Sequence, residues 1–473
     1  MKTFRTFLAG RWQAEAHGQA IRAPWDGQIV GEVHEAQDDS LEAALQAGVA
    51  AQATMAALSP HQRREILFTT ARLLREREQL LAPVLAQEAG KPLRLARSEV
   101  QRAADTCQFA AEEAGRPADE AIDLGNTAAA TGRYGIVRRF PRGLIAAITP
   151  FNFPLNLVVH KLAPAIAAGC PVVLKPAPQA PLSAFHLAEI LQESGLPAGG
   201  LSVLWLDNQR SERLATDKRV KLLTFTGSDR VGWHLHRQVQ GKPVLLELGG
   251  NAACIVWHDA DLKHAAERIC SGAFAYAGQT CISVQRVLVH RSVQDELLNH
   301  ILEVAKDFPC GSPLDERVLC GPVIDRRAAE RIQAVYDQAI ALGGKSLVRG
   351  NATGTLLSPS IFLDVPADAH LQRQELFGPG LCVDAVDDFA DAIARANDSP
   401  FGLQAGIFTR DIDRIWQAFS GLQVGGVIHN DVPTFRSDPM PYGGVKGSGL
   451  GREGPRAAIA EFTEPRLLVL RLG

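Results

Sequence analysis

The sequence predicts an α/β fold built as two tandem Rossmann-like parallel-sheet domains, and three observations carry that prediction. Between Gly143 and Gly250 short apolar runs alternate with helical stretches. The same alternation resumes after Asn251. Residues 40 to about 115 carry apolar side chains at three- and four-residue steps, a helical layer that needs a sheet to bury its face. At roughly 150 residues per domain, 473 residues leave room for about three domains.

The helical layer reads as "LEAALQAGVAAQATMAAL", "HQRREILFTTARLLREREQLLAPVLAQEAG" and "SEVQRAADTCQFAAEEAG". The first alternating series follows: "GLIAAIT", "PLNLVVHKLAPAIAAG", "PVVLKP", "PLSAFHLAEILQESG", "LSVLWL", "KLLTFTGS", "DRVGWHLHRQVQ" and "PVLLELGG". Pro154 suits a first helical turn, where its missing N–H costs nothing; Pro164 should kink the middle of that helix, and Gly169 can supply its left-handed exit. The second series runs from "ACIVW" through "DLKHAAERICSGAFAYAG", "VQRVLVH" and "DRRAAERIQAVYDQAIALGG", with Asp325 a predicted N-cap and Gly343 a helix stop. Two segments, "AIDLGNTAAATGRYGIVRRF" and "RLLVLRL", read as exposed strands. Unpaired apolar edges aggregate, so both are expected to add to a neighbouring subunit's sheet.

Composition excludes several classes. With 49 Lys and Arg against 52 Asp and Glu the net charge is −3, which speaks against a nucleic-acid partner. No apolar run approaches the ~20 residues that span a bilayer, and the first nineteen residues lack the basic-then-apolar order of a signal peptide, so a cytoplasmic protein without membrane association is expected. The eight cysteines (107, 170, 254, 270, 281, 310, 320, 382) form no CxxC pair, as expected of reduced thiols. The thirteen histidines show no metal-ligand spacing, and no metal is predicted. The sequon at Asn351 is chance in such a protein, and Gly449, Gly451 and Gly454 form a GxGxxG string with no apolar strand before it, so it reads as a loop and not a dinucleotide fingerprint.

Chemistry is concentrated in a few turns. "ELGGN" ends a strand and sets Glu247 at its carboxyl end, where ligands bind in open α/β sheets. Cys281, in "AYAGQTCISVQRVLV", lies between a helix and a strand among small residues that leave its sulfur approachable. A thiol and a carboxylate so placed fit covalent catalysis followed by base-assisted hydrolysis. Taken singly, Cys281 reads first as a buried structural thiol and Glu247 as a surface charge, so the chemical reading needs further residues. Asn152, in "TPFNFPLN", can offer its amide to an oxyanion or simply cap a helix. Lys175 ends the next strand. Gly227, Ser228 and Gly232 in "TFTGSDRVG" form a strand-to-helix turn able to meet a pyrophosphate. "QELFGP" adds Glu375 and Phe377.

Asn152, Lys175, FTGSxxxG, ELGGN, GQxC, ELFGP and "PYGGVKGSGLGREG", in this order and spacing, resemble the aldehyde dehydrogenase superfamily over essentially the whole chain. The resemblance implies that Cys281 attacks an aldehyde as thiolate, that the Asn152 amide and the Cys281 N–H hold the oxyanion, and that Glu247 activates the water that hydrolyses a thioester. It implies cofactor contacts from Thr149, Pro150, Phe151, Lys175, Pro178, Gly227, Ser228, Gly232, Leu248, Gly249, Glu375 and Phe377. It also implies a dinucleotide-binding domain of residues 1–117 and 136–247, a catalytic domain of 248–455, oligomerisation segments of 118–135 and 456–473, and a homodimer or homotetramer.

Where NAD-preferring relatives often hold an acidic residue, three after Lys175, this chain has Pro178; NADP or NAD is therefore expected, with a lean to NADP. Around the substrate, the stretches near Cys281 and Arg436 resemble the branch of lactaldehyde, phosphonoacetaldehyde and non-phosphorylating glyceraldehyde-3-phosphate dehydrogenases. Arg102 and Arg436 are either surface arginines in salt bridges or the groups that select a hydroxylated or anionic tail, and Phe153 and Ile282 keep the pocket small. The competing readings are a cysteine hydrolase or esterase and a catalytically silent relative.

Overall fold

The computed structural model describes all residues except 1, 16, 117, 118 and 473. Five parallel strands form the heart of the first sheet: β1 (Ile145–Ile148), β2 (Val172–Lys175), β3 (Leu201–Val203), β4 (Leu222–Thr226) and β5 (Val244–Glu247). Their spatial order is β5-β4-β1-β2-β3, so successive connections run one way from β1 and the other way from β4. A crevice opens where the order reverses, at the carboxyl ends of β1 and β4. Thr6–Leu8 and Arg11–Gln13 extend the β3 edge. Helices Pro60–Glu76, Glu78–Ala89 and α1 (Leu93–Ala114) form a layer on one face of this sheet, over Ile145, Ala147, Val172 and Leu174, whereas Asp38–Ala57, expected in the same layer, packs on the opposite face over Ala146, Ile148 and Val173.

The helix after β1, α2, spans Asn156–Ala168 and ends at Gly169 with φ +81, the left-handed exit predicted for it. It runs unbroken through Pro164. Its start is later than the sequence implied: Pro154 lies in the turn ahead of it, because the Glu99 carboxylate takes the N–H groups of Leu155 and Asn156, both at 3.0 Å, and so caps the helix there. The helix after β4, α3 (Asp229–Gln238), opens directly behind Ser228.

β5 passes into the second sheet after four residues. That sheet holds β6 (Ala252–Val256), β7 (Val284–His290), β8 (Ser360–Leu363), β9 (Gly380–Val386), β10 (Gln404–Phe408) and β11 (Gly426–His429) in the order β8-β9-β7-β6-β10-β11, all parallel, with Lys345–Val348 antiparallel outside β8. The carboxyl edge of the first sheet thus meets the amino edge of the second. The helix Arg326–Ala341 starts on Asp325, whose side chain accepts the Ala328 N–H, and Gly343 beyond its end takes φ +108.

The exposed strands find their first partners within the chain. Thr463–Arg471 pairs antiparallel with Arg133–Pro141, which pairs in turn with Glu120–Asp123, so the two segments complete one another within the chain. The strand runs past residue 135, and the helix Pro455–Phe462 packs on α2 with Ala458 and Phe462 buried, so the arm comprises 120–141 and 463–471 instead of 118–135 and 456–473. The boundary at 117/118 lies outside the described residues. The GxGxxG string is not a free loop either: Gly449–Leu450 pairs antiparallel with Glu247 and Leu246 along β5. No helix among the described residues is long and apolar enough to cross a membrane.

Candidate active site

A cavity of about 800 Å³ lies between the two sheets. Thr149, Pro150, Phe151, Asn152, Phe153, Lys175, Pro178, Gly227, Ser228, Glu247, Leu248, Gly249, Cys281, Ile282, Glu375, Phe377, Arg102 and Arg436 all line it. Gly232 does not. A Cβ there would meet Leu248 Cδ2 at 2.3 Å, so this glycine lets α3 close on the strand end.

Cys281 differs from its fellow cysteines. It is partly accessible and faces the cavity, whereas six of the other seven are buried and Cys310 lies elsewhere. The loop that presents it is strained: Tyr276 and Ala277 both sit at φ +53, a conformation that costs a non-glycine residue about 1–2 kcal/mol. The surroundings hold it there. The Tyr276 N–H donates to Leu319 O at 2.7 Å, its hydroxyl to Ala89 O at 3.0 Å, and the Gln279 carboxamide accepts the Ile324 N–H at 2.8 Å. Gly250 lets the ELGGN turn lie against this loop, since a Cβ there would meet Cys281 O at 2.3 Å.

The sulfur is 3.5 Å from Glu247 Oε1 and 3.1 Å from the Tyr442 hydroxyl. Burial first, then the negative charge of Glu453, raises the Glu247 pKa to about 8, so this carboxyl holds its proton at neutral pH. Burial and the neighbouring Glu247 likewise push the thiol up. Asn152 Nδ2 donates one hydrogen to Gln279 O at 3.0 Å, which fixes the amide beside the loop and leaves its second hydrogen available to the cavity.

At the other end of the cavity Lys175 is buried, has no carboxylate partner among the described residues, and has its pKa lowered to about 8 by burial. A buried ammonium without a counter-ion facing a cavity fits an anionic ligand. Gly227 and Ser228 lie beneath the first turn of α3, whose free N–H groups favour a phosphate. Glu375 accepts the Gly250 N–H at 3.1 Å, and Phe377 meets Phe151 edge to face at 5.8 Å. Pro178 and Gln179 are exposed at the mouth, with no acidic side chain at 178. These residues fit a dinucleotide whose adenosine end carries extra negative charge.

Beyond the nucleophile lies a charged cluster. Asp438 holds Arg102 through two bonds of 3.0 and 2.8 Å and touches His160 at 2.9 Å. Glu453 holds Lys161 at 2.9 Å and Arg436 at 3.4 Å, and the Arg436 guanidinium lies 3.7 Å over the Tyr442 ring. Asp438 is held well below the usual carboxylate range by its partners' opposing of burial, Glu453 is lowered to about 2 by Lys161 and Arg436, and burial keeps His160 neutral. Three cations therefore face two carboxylates.

The family model described as "Aldehyde dehydrogenase family" matches residues 12–468. The chain belongs to the aldehyde dehydrogenase family. Among its relatives, the 3-sulfolactaldehyde dehydrogenase of Priestia aryabhattai is 41% identical over 473 residues, 100% of this chain and 99% of that protein. The structure of aldehyde dehydrogenase 21 from Physcomitrella patens, in complex with the product succinate, superposes with a TM-score of 0.98 at 40% identity, covering 99% of this chain and 98% of that one. The NADP-dependent glyceraldehyde-3-phosphate dehydrogenase of Bacillus halodurans, complexed with NADP, gives 0.96 at 35% identity with both chains fully covered. This aldehyde dehydrogenase is accordingly an oxidoreductase that works with NAD or NADP.

Within this aldehyde dehydrogenase the motifs did not point to Tyr442, Lys161, Glu453, Asp438 or His160. One signal was available: a His–Lys pair inside the apolar helix "NLVVHKLAPAIAA" must find partners when buried. The polar neighbours of the Cys281 sulfur are a carboxyl and a phenol, with no imidazole among them, which disfavours the hydrolase reading.

Proposed function

We propose that this enzyme oxidises a short aldehyde bearing one negative charge to its carboxylate, with NADP favoured over NAD. The observation that carries the substrate class is the charge cluster: three cations against two carboxylates leave one buried positive charge beside Cys281, and an anionic tail offsets it. Arg436 supplies that charge, because Arg102 is already neutralised bidentately by Asp438. Phe153 and Ile282 limit the tail's length. Among the relatives, 3-sulfolactaldehyde and the aldehyde that yields the bound product succinate carry one negative charge, glyceraldehyde 3-phosphate carries about two, and lactaldehyde is short and hydroxylated without charge.

In this reading Cys281 forms the C–S bond with the aldehyde carbon, and the Asn152 amide with the Cys281 N–H receives the charge that develops on oxygen. The dinucleotide, when bound, accepts the hydride. Lys175, Ser228 and Glu375 would hold it, with Phe377 beside them on the cavity wall. Glu247 then takes a proton from the water that cleaves the thioester. The buried Lys175 without a carboxylate and Pro178 beside it favour a 2′-phosphate.

The exposed edges of the arm strand Thr463–Arg471 and of β11 support a homodimer or homotetramer, with Leu467, Leu468 and Val469 exposed on the former. The eight cysteines, all free thiols, favour a cytoplasmic site.

A panel of short aldehydes followed at 340 nm with both nucleotides tests the proposal. Short anionic aldehydes with NADP should give the highest kcat/KM. Higher values for long alkyl or aromatic aldehydes overturn the substrate class, and equal or faster turnover with NAD overturns the NADP preference.

A further inference from the structure

The Tyr442 phenol touches the reacting sulfur, yet neither the motifs nor the reaction outlined above gives it a task. We propose that Tyr442 is a catalytic residue that donates its hydroxyl hydrogen to the Cys281 sulfur and so favours the thiolate. This rests on Cys281 being the nucleophile.

The donor direction follows from the neighbours. The Cys281 thiol points its own hydrogen at Glu247 Oε1, 3.5 Å away, and the sulfur lies 3.1 Å from the Tyr442 oxygen, the hydroxyl's one hydrogen-bond partner among the described residues. A thiolate has no hydrogen to give, so in the reactive state only the phenol can donate across the second contact. When the sulfur loses its proton, to water or to the ionised fraction of Glu247, the phenol keeps its own and the bond becomes a charge-assisted O–H···S⁻ contact, stronger than the neutral one. Of the other charged groups that act on the sulfur, Glu247 and Glu375 disfavour the thiolate and Arg436 favours it. Tyr442 is the favouring group in direct contact.

The ring is built in. Tyr442 is 2% exposed, its backbone exchanges two hydrogen bonds with Glu453, and it packs with Ile282 and Leu403 beneath the Arg436 guanidinium. The cation over its face makes the phenol a better donor. The cation that meets the substrate's anion is thus stacked on the group that steadies the nucleophile.

A donor bond to a thiolate disappears when the sulfur becomes a thioether. It therefore raises the thiolate fraction while lowering the reactivity of each thiolate, and these two effects separate with pH. The test is the rate of Cys281 alkylation by iodoacetamide from pH 5 to 10, read by peptide mass spectrometry on the full-length enzyme, with Cys281→Ala defining the background. In Tyr442→Phe the midpoint should rise by about one pH unit, with a rate about tenfold lower below the midpoint and an unchanged or faster plateau at high pH. Replacing Tyr442 with 3-fluorotyrosine, nearly isosteric and a stronger donor, should move the midpoint down, which keeps the question answerable if the phenylalanine variant folds poorly. An unmoved midpoint in either folded variant, or a plateau that falls with the rest of the profile, overturns the assignment. The readout needs no aldehyde turnover, so it is distinguishable from failure of the functional proposal, whose mark is a wild-type enzyme that alkylates at Cys281 but oxidises no aldehyde.

Discussion

The two ends of the cavity are built on different principles. The dinucleotide end relies on backbone turns at strand termini, glycines and one buried lysine without a counter-charge. The substrate end relies on side chains drawn from distant parts of the chain: Arg102 on α1, His160 and Lys161 on α2, and Arg436, Asp438, Tyr442 and Glu453 near the carboxyl terminus. A backbone site tolerates one change in a side chain, because its donors are main-chain N–H groups. A charge cluster does not, because each member fixes the ionisation of the others. The cofactor end should therefore lose affinity in modest steps, whereas the substrate end should lose discrimination sharply.

The largest effect is expected where the two ends meet. Glu247→Gln should lower steady-state turnover by about 10²–10³-fold and leave a burst of about one NAD(P)H per active site, since the acyl-enzyme forms but is not hydrolysed. In the unaltered enzyme Glu247 must be ionised to act as base, so with its pKa raised to about 8 the deacylation rate should rise as pH increases through about 8 and level above it. A pH-independent deacylation rate between 6 and 9 would remove Glu247 from this role.

Next, Arg436→Gln should lower kcat/KM for an anionic aldehyde by about 10–100-fold while changing that for propanal by less than about threefold, the loss of a charge-assisted contact worth about 1.5–3 kcal/mol. Equal losses for both substrates would mean the arginine serves the nucleophile's surroundings alone. At the cofactor end, Lys175→Ala should raise the KM for NADP by about tenfold and that for NAD by less. The smallest change belongs to Arg102→Gln, about threefold or less in the same comparison of aldehydes, because its charge is already offset by Asp438. If Arg102 proved the stronger determinant, the charge assignment within the cluster would have to be reversed.

The same contrast governs what the sequence discloses. The alternation of strands and helices, the FTGS turn and Glu247 at a strand end are local patterns, and the fold and the placing of Gly227, Ser228 and Glu247 at the cavity were legible from them. Gly232 misled because a glycine in a helix's first turn has the same sequence signature whether backbone meets ligand or a neighbouring Leu248. The arm misled because strand pairing is non-local: nothing near Thr463–Arg471 announces that Arg133–Pro141 is its mate. The cluster around Asp438 and Glu453 was illegible for the same reason, as its ion pairs join residues hundreds of positions apart.

The passage of β5 into β6 also bears on how the molecule can breathe. Only Leu248–Asn251 separate the sheets there, and Ser448 staples the crossing by donating to Gly249 O at 2.7 Å and accepting the Gly402 N–H at 2.9 Å. A rocking of one half against the other about this crossing would move the outlying rims while leaving Glu247 and the neighbouring sulfur almost still. Admission of reactants and release of products can then proceed by swinging the periphery, without unsettling the few ångströms on which bond-making depends.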